Sequence, residues 1–302
     1  MIRLKAGTAI LVAVVIVAVA PAHVQQEDPT WRPFFSISPV SGDDASLDSG
    51  GDVSVDGVLT RFGVIRDLGG GNRAGVTLAY DYVDYSFSNP VAFGGVAPWD
   101  SVQRYGVSVP MFFAWRDGWS FGVVPSVDWF RENGADWGES LTWGATVTAV
   151  KAYANGNRIG FGLGVFDRIE DTNVFPVLIV DWRLAERWRL INPLAAGPTG
   201  PAGLELDYEI SDNWSVGAGA AYRSSRFRLS ETGPVANGVG EVRGWPVYAR
   251  LGYSIRRQYT VSLVAGAIAE GELRVENSSG DLLQKEEFDL APFVGVHVSA
   301  RF

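Results

Sequence analysis

Apolar and polar residues alternate along most of the chain. In 243–256, every second residue from Trp245 to Ile255 is apolar, and Arg250 and Ser254 fall between them. The same period of two recurs in 141–149, 158–165, 202–210 and 214–223. This period is that of a β-strand with two different faces, and no comparable helical period appears after residue 22. The pattern predicts an all-β protein.

The alternation predicts about fourteen strands. The candidates are 31–40, 52–66, 73–86, 103–115, 119–130, 140–153, 158–168, 173–184, 187–192, 202–210, 214–229, 243–255, 259–270 and 287–302. Many have the length of a tilted strand that crosses a bilayer, about 9–11 residues, whereas soluble strands usually have about 5–6. Twelve strands are the alternative, because 31–40 contains Pro33 and Pro39 and 187–192 is short.

The connections between these strands alternate in length. The short ones are 67–72, 116–118, 154–157, 185–187, 211–213 and 256–258. The long ones lie near 87–102, 131–139, 193–201, 224–242 and 271–286. Tight periplasmic turns and longer outer loops are typical of outer-membrane barrels. We therefore expect a transmembrane antiparallel up-and-down β-barrel, with a soluble secreted β-sandwich as the alternative.

Aromatic residues flank the short turns. The set is Trp115, Trp119, Trp182, Trp188, Trp214, Tyr253 and Tyr259. Indole and phenol rings prefer the level of the lipid headgroups, so we expect these residues at the membrane interface. Aromatic pairing across hairpins is the alternative explanation.

The last strand is apolar at alternate positions and ends the chain on an aromatic residue. These positions include Val294, Val296, Val298 and Phe302. This arrangement resembles the recognition signal of bacterial outer-membrane β-barrels. The resemblance implies that the barrel-assembly machinery and outer-membrane lipid are partners.

The later half also resembles a family of uncharacterised bacterial barrels, named only as a domain of unknown function. The similar stretches are 176–183, 238–241, 248–253, 291–295 and 299–302. The resemblance implies a barrel and supplies no catalytic motif.

The N-terminus predicts export. Arg3 and Lys5 precede an apolar run of about a dozen residues, and 20–22 fits a small-x-small cleavage site. We expect a cleaved signal peptide over 1–22, a flexible lead over 23–30 and a bacterial outer-membrane barrel over 31–302.

Composition refines this picture. The 302 residues are 47% hydrophobic, with 36 Gly, no Cys, two His and a formal charge of −9. Glycine exceeds its usual share of about 7%, and we attribute the excess to a crowded inner face. The absence of cysteine removes disulfides and thiolate chemistry, and the acidic balance argues against nucleic acid as a partner.

Charged residues fall on the polar faces of the strands. We expect lumen-facing charges at Asp181, Arg183, Arg189, Glu205, Asp207, Glu209, Arg223 and Arg250. Three carboxylates on one strand face would repel each other, so we expect arginines of neighbouring strands (Arg187, Arg189 and Arg223) to pair with them. Acid–base catalysis by this row is the weaker interpretation.

Little else suggests chemistry. His297 and Ser299 share a strand face, like the base and hydroxyl of a lipid-modifying enzyme, but no third group can be placed. Loop 131–139 is acidic and fits no Ca²⁺ motif, so we expect it to be solvated. We predict no enzyme activity, no metal and no cofactor. The leading hypothesis is a passive pore for small solutes, and the alternative is a closed barrel that presents outer loops.

Overall fold

The computed structural model describes residues 31–194, 202–256 and 258–302, so the predicted signal peptide and flexible lead lie outside the described residues. The strands are β1 (Trp31–Gly42), β2 (Ala45–Ser46), β3 (Asp52–Gly69), β4 (Asn72–Ser88), β5 (Ser101–Ser108), β6 (Met111–Ala114), β7 (Trp119–Glu132), β8 (Leu141–Ala152), β9 (Arg158–Arg168), β10 (Asp171–Arg183), β11 (Trp188–Ile191), β12 (Ala202–Glu209), β13 (Trp214–Arg228), β14 (Val239–Ile255), β15 (Tyr259–Glu276), β16 (Leu282–Phe288) and β17 (Ala291–Arg301). Two short 3₁₀ helices, Val91–Phe93 and Arg116–Gly118, complete the regular elements of the described ranges.

The strands form one closed antiparallel sheet. Strand β1 pairs with β3 on one side and with β17, the last strand, on the other. Three barrel strands are interrupted and consist of β1 with β2, β5 with β6, and β16 with β17. The described strands therefore build the predicted fourteen-stranded barrel, and the alternative of a soluble sandwich is excluded.

Proline accounts for one of the interruptions and lies just after another. The predicted strand 103–115 is divided into β5 and β6 around Pro110, because proline has no N–H for the ladder. The Pro110 carbonyl still accepts a bond from Gly75 N at 2.9 Å. Pro292 stands where β17 begins, and its carbonyl accepts from Asp43 N at 2.9 Å.

Two of the predicted long loops are mostly paired strand. Strands β13 and β14 leave only 229–238 unpaired, and β15 and β16 leave only 277–281. The expectation of loops over 224–242 and 271–286 is therefore wrong. These hairpins extend past the membrane-facing band, where no lipid imposes an apolar face, so alternation disappears while the backbone ladder continues.

The short turns define one end of the barrel, which we call the periplasmic end, and the long connections define the outer end. The turn between β3 and β4 uses Gly70 and Gly71 at φ 61° and 81°. The outer end also holds an unpredicted two-residue turn, Ile169–Glu170, where Glu170 has φ 56°.

Large apolar side chains cover the outside of the barrel. Phe161, Leu163 and Val294 are each 55–66% exposed, although they lie in regular strands. Such a surface is unfavourable in water and is what lipid contact requires. Within the described ranges, neither helix combines the length and the apolar character that crossing a bilayer requires.

Candidate functional site: the lumen and its cap

The register between strands separates a lumen face from a lipid face. Asp207 lies opposite Gly217, and Gly217 lies opposite Arg250, so these three residues share one face. Asp207 and Arg250 are buried, whereas Leu206 on the other face is 39% exposed. The charged face therefore points into the barrel.

Arg250 is the centre of a buried ion cluster. Its Nη2 lies 2.6 Å from Glu205 Oε1, and it also pairs with Asp207. The Tyr248 hydroxyl donates to Glu205 Oε2 at 2.8 Å. Glycine on β13 makes room for the cluster, since a Cβ on Gly217 would lie 2.5 Å from Glu205 Oε1. The cluster sets one cation against two carboxylates.

A second group lies towards the periplasmic end. Arg189 Nη2 is 2.5 Å from Asp181 Oδ1, and its Nη1 is 3.8 Å from Glu209 Oε1. Arg183 is exposed there, and its backbone N donates to Asn157 Oδ1 at 3.0 Å. The side chains of Arg189, Asp181 and Glu209 are about one-third exposed, so they are less constrained than those of the Arg250 cluster.

Of the arginines expected to pair with the row of carboxylates, Arg189 does so through Glu209. Arg187 is exposed, and its guanidinium donates to a backbone carbonyl. For Arg223 the predicted pairing is wrong, because this residue lies opposite Gly244, near the outer end of the barrel. It stands four residues further along β13 than Gly219, the partner of Glu205, which is about 13 Å at 3.3 Å per residue. Alternation defines the face of a side chain but not its height.

A third ion cluster includes residues that the sequence analysis missed. Asp81 accepts from Arg61 Nη2 at 3.0 Å and lies 3.4 Å from Arg104 Nη1. Arg104 also bonds Asp128 at 2.8 Å. A Cβ on Gly106 would lie 2.2 Å from Asp128 Oδ1, so glycine again makes room. The signal was present, because each charge occupies a polar position of an alternating strand.

His297 does not meet the serine suggested by the sequence. Its Nδ1 lies 2.8 Å from Ser38 Oγ, and both residues are buried. Ser262 lies opposite His297 in the ladder, and its hydroxyl has no partner among the described residues. The pair formed is therefore His297–Ser38, buried in the wall rather than open to a substrate.

The lumen has two unlike halves. The inner faces of β8 and β9 carry Gly144, Thr146, Thr148, Gly160, Gly162 and Gly164. Phe166 and Phe175 stack over this wall with centroids 5.8 Å apart, and Phe175 remains 38% exposed. On the opposite wall, Tyr248 and Val264 are 5% and 1% exposed. Side chains therefore fill the lumen beside β14 and β15 far more than beside β8–β10.

The tip of the β13–β14 hairpin, residues 227–238, covers the outer mouth, and we call it the cap. Phe227 and Leu229 are fully buried. The Phe227 ring lies 5.2 Å from Trp99, 5.9 Å from Phe130 and 6.3 Å from Tyr85. The hairpin reaches across to β7, where Arg228 pairs with Arg131 in the ladder. Non-covalent apolar contacts therefore hold the hairpin tip at the outer end of the barrel.

Loop 131–139 anchors the cap and is not simply solvated. Glu132 is buried, and its carboxylate accepts from Ser230 N at 2.8 Å and from Asp100 N at 3.0 Å. Burial raises the pKa of Glu132, and the two N–H donors oppose that rise. No group of three His, Cys, Asp or Glu within the described ranges is arranged to hold a metal ion.

Ion pairs hold the base of the cap. Arg226 Nη2 lies 2.6 Å from Glu276, and Arg228 Nη2 lies 2.7 Å from Glu170. Both arginines are almost fully buried, so these pairs are shielded from salt more than surface pairs are. The unpredicted turn at Glu170 thus lies against the cap.

Glu241 is the acidic centre of this base. Burial favours its neutral form, but bonds from Arg243 and Ser224 and the charges of Arg168 and Arg243 outweigh burial and lower its pKa from 4.5 to about 2. It lies 2.6 Å from Ser224 Oγ and 3.2 Å from Arg168 Nη2. The carboxylate is therefore charged at neutral pH.

The expected aromatic residues lie on the outer surface near the periplasmic end. Trp115, Trp188, Trp214, Tyr253 and Tyr259 are 36–61% exposed, while Trp119 and Trp182 are half-buried. Trp214 packs on Tyr253, with centroids 4.7 Å apart. Both cross-strand pairing and an interfacial position are therefore compatible with the structure.

A second aromatic level at the outer end was missed. Tyr222 packs on Trp245 at 5.2 Å, eight residues above the Trp214–Tyr253 pair on the same two strands. Eight residues span about 26 Å of strand. A strand tilt of about 35–45° reduces this to a height of about 20 Å, so the two pairs bracket most of the apolar band of outer-membrane barrels, which is about 25 Å tall.

The expected assembly signal lies on the strand that closes the barrel. Val294, Val296 and Phe302 are 37–55% exposed, and Val298 shares their face. The Phe302 ring meets Tyr259 edge-on at 6.0 Å. Recognition of this face by assembly machinery stays a prediction.

Sequence comparison finds no matching family model and no matching curated protein. Solved structures do match. An outer-membrane channel from Pseudomonas putida F1 has a TM-score of 0.50 at 10% identity, covering 94% of this chain and 100% of that chain. The Pseudomonas putida toluene transporter TodX has a TM-score of 0.41 at 10% identity, covering 91% and 90%. LpxR from Salmonella typhimurium has 0.34 at 9% identity, covering 88% and 99%.

These likenesses concern the fold alone. The closed fourteen-stranded sheet, its exposed apolar exterior and its charged interior define the class. The chain is a bacterial outer-membrane β-barrel protein.

Proposed function

We propose that the protein is a channel through which small solutes cross the outer membrane passively, with the cap as its outer gate. The asymmetric lumen carries this proposal. Eight-stranded barrels are filled by their own side chains, whereas sixteen strands leave an aqueous channel. Fourteen strands with a glycine- and threonine-lined wall at β8 and β9 lie between these limits.

The charges of the lumen are largely compensated within their own clusters. Arg61 and Arg104 balance Asp81 and Asp128, and Arg250 offsets one of its two carboxylates. A passing solute meets little net charge, so we expect weak ion selectivity. This distinguishes the proposal from a strongly selective pore lined by one sign of charge.

Planar bilayers test the proposal directly. The purified barrel should give discrete conductance steps with similar permeability to K⁺ and Cl⁻, and liposomes containing it should swell in small sugars. The heat-unfolded protein is the matched control. Absence of conductance and swelling from a barrel that migrates as folded on a cold denaturing gel would refute the channel.

A surface role is the second candidate. The β15–β16 hairpin extends past the barrel, and Leu282 and Leu283 on it are 49% and 54% exposed. Exposed leucines on an outer hairpin suit contact with a partner. Replacing both with serine should reduce cell-surface binding and leave conductance unchanged if this role exists; unchanged binding would exclude it.

A further inference from the structure

An apolar cavity lies inside the barrel beneath the cap. Its volume is about 90 Å³, which is room for about three water molecules at the liquid value of about 30 Å³ each. The lining includes Val53, Val55, Leu59, Val83, Ile268 and Phe293. A water-filled pore is polar inside, so an apolar chamber within the lumen needs a separate explanation.

Irregular strands surround the chamber. Gly42 stands before the gap between β1 and β2, and Pro292 follows the gap between β16 and β17. Gly244 lies at the register shift of β14. Bulges and breaks bend a sheet locally, and residues at all three positions line the cavity. The chamber is therefore part of the barrel design at this level, rather than a gap between poorly packed side chains.

Two layers of different chemistry lie above and below the chamber. Tyr85, Leu273 and Phe288 separate it from the outer mouth as members of the buried cluster that includes Phe227. Towards the periplasm, Phe293 packs with Tyr248, whose hydroxyl bonds Glu205. A molecule in the chamber would lie between the cap and the ion clusters.

The charged neighbours do not create an ionic site. Asp56 and Arg243 belong to the outward-facing sets of their strands, and Arg243 Nη2 bonds Glu241 at 2.7 Å. Arg223 faces inward, where Asp81 attracts its charge and Arg61 and Arg104 repel it. Its side chain has an interaction within the protein, so an anionic ligand is not required. Water would find few partners among valine, leucine and phenylalanine, and apolar cavities of this kind bind apolar molecules.

We propose that the chamber binds a small uncharged hydrocarbon, about the size of one six-membered ring. Binding follows from the cavity alone, whereas passage of this ligand across the membrane rests on the proposed channel function. The same apolar chemistry could be supplied by a lipid acyl chain, and the experiment separates the two.

Equilibrium dialysis of radiolabelled benzene against the full barrel in lipid nanodiscs tests the site. We expect saturable binding of one benzene per barrel above the background of empty nanodiscs. Val55→Phe places a ring in the chamber and should weaken binding at least tenfold. Val58→Phe adds the same ring to the outward face of the same strand and should leave binding unchanged. Phe293→Ala enlarges the chamber and should admit naphthalene, which the parent barrel excludes.

The outcomes separate the hypotheses. The site is overturned if benzene shows no saturable binding. It is also overturned if benzene binds and neither Val55→Phe nor Phe293→Ala changes the binding. A third outcome also overturns the hydrocarbon site: native mass spectra show a bound acyl chain that benzene does not displace. The natural occupant of the chamber is then a lipid. Conductance without benzene binding refutes this inference and leaves the channel. Benzene binding without conductance refutes the channel and leaves the site.

Discussion

If the cap is a gate, Phe227 is the side chain whose loss should open it. The Phe227 ring is fully buried at the outer mouth and contacts Trp99, Phe130 and Tyr85. Phe227→Ala removes all three ring contacts and leaves the strands of the membrane band untouched. The change therefore acts on the closed position of the hairpin more than on the barrel.

The magnitude follows from burial. Truncating a buried Phe to Ala costs about 3–5 kcal/mol, and each aromatic pair contributes about 0.5–1.5 kcal/mol beyond its buried area. In the open state the ring of the parent would be exposed to water, so the truncation acts mainly on the closed state. A loss of about 3 kcal/mol from the closed state raises the ratio of open to closed channels about 100-fold, at about 1.4 kcal/mol per factor of ten.

Single-channel recording measures this ratio as open probability. Phe62→Ala is the matched control, since Phe62 is 53% exposed on the outer surface and is absent from the cap. We expect frequent long openings for Phe227→Ala and parent behaviour for Phe62→Ala. A Phe227→Ala barrel that folds, conducts and opens no more often than the parent would contradict the assignment of the cap as a gate.

Three further predictions concern stability and assembly. Arg250→Ala leaves Glu205 and Asp207 buried without their cation and should lower the stability of the folded barrel by about 3–5 kcal/mol. The barrel should then unfold at a lower temperature on a denaturing gel, and Arg250→Lys should restore part of that temperature. The pKa of Glu241 is lowered from 4.5 to about 2, so its ion pairs contribute about 3 kcal/mol to the stability of the folded outer end above pH 4.5, and this is lost as pH falls towards 2. Open probability should rise over that interval, and Glu241→Gln should weaken the dependence. Deleting Phe302 should reduce the folded barrel in the outer membrane while refolding in detergent is unchanged; equal levels in cells would exclude a role in assembly.

Much of the fold was predictable because a barrel wall obeys a local rule. Each strand contacts lipid on one face and the lumen on the other, so apolar and polar residues alternate along every membrane-spanning strand. The last strand, with Val294, Val296 and Val298 on its lipid face, illustrates this, since its face, its partners and its terminal position agree with the expectation. The rule fails beyond the band, where β13–β16 continue as ladder without alternation.

The candidate site was only partly predictable. The lumen face of Glu205 and Asp207 follows from alternation, but their pairing with Arg250 rather than Arg223 depends on the stagger of three strands. The excess of glycine was expected to mark the inner face. The contacts explain why glycine is needed there, because Gly217 and Gly106 leave space for carboxylates from neighbouring strands.

The sequence by itself predicted the class of protein, a strand number of fourteen or twelve, and the face of most side chains, because these depend on each strand and its two solvents. The closed sheet decided for fourteen strands. Tertiary structure decided which charges meet, where the lumen is filled, how the hairpin tip at Phe227 packs at the outer end, and that an apolar chamber lies beneath it. Those features join residues separated by tens to hundreds of positions, and their distances are set by strand stagger and closure of the sheet.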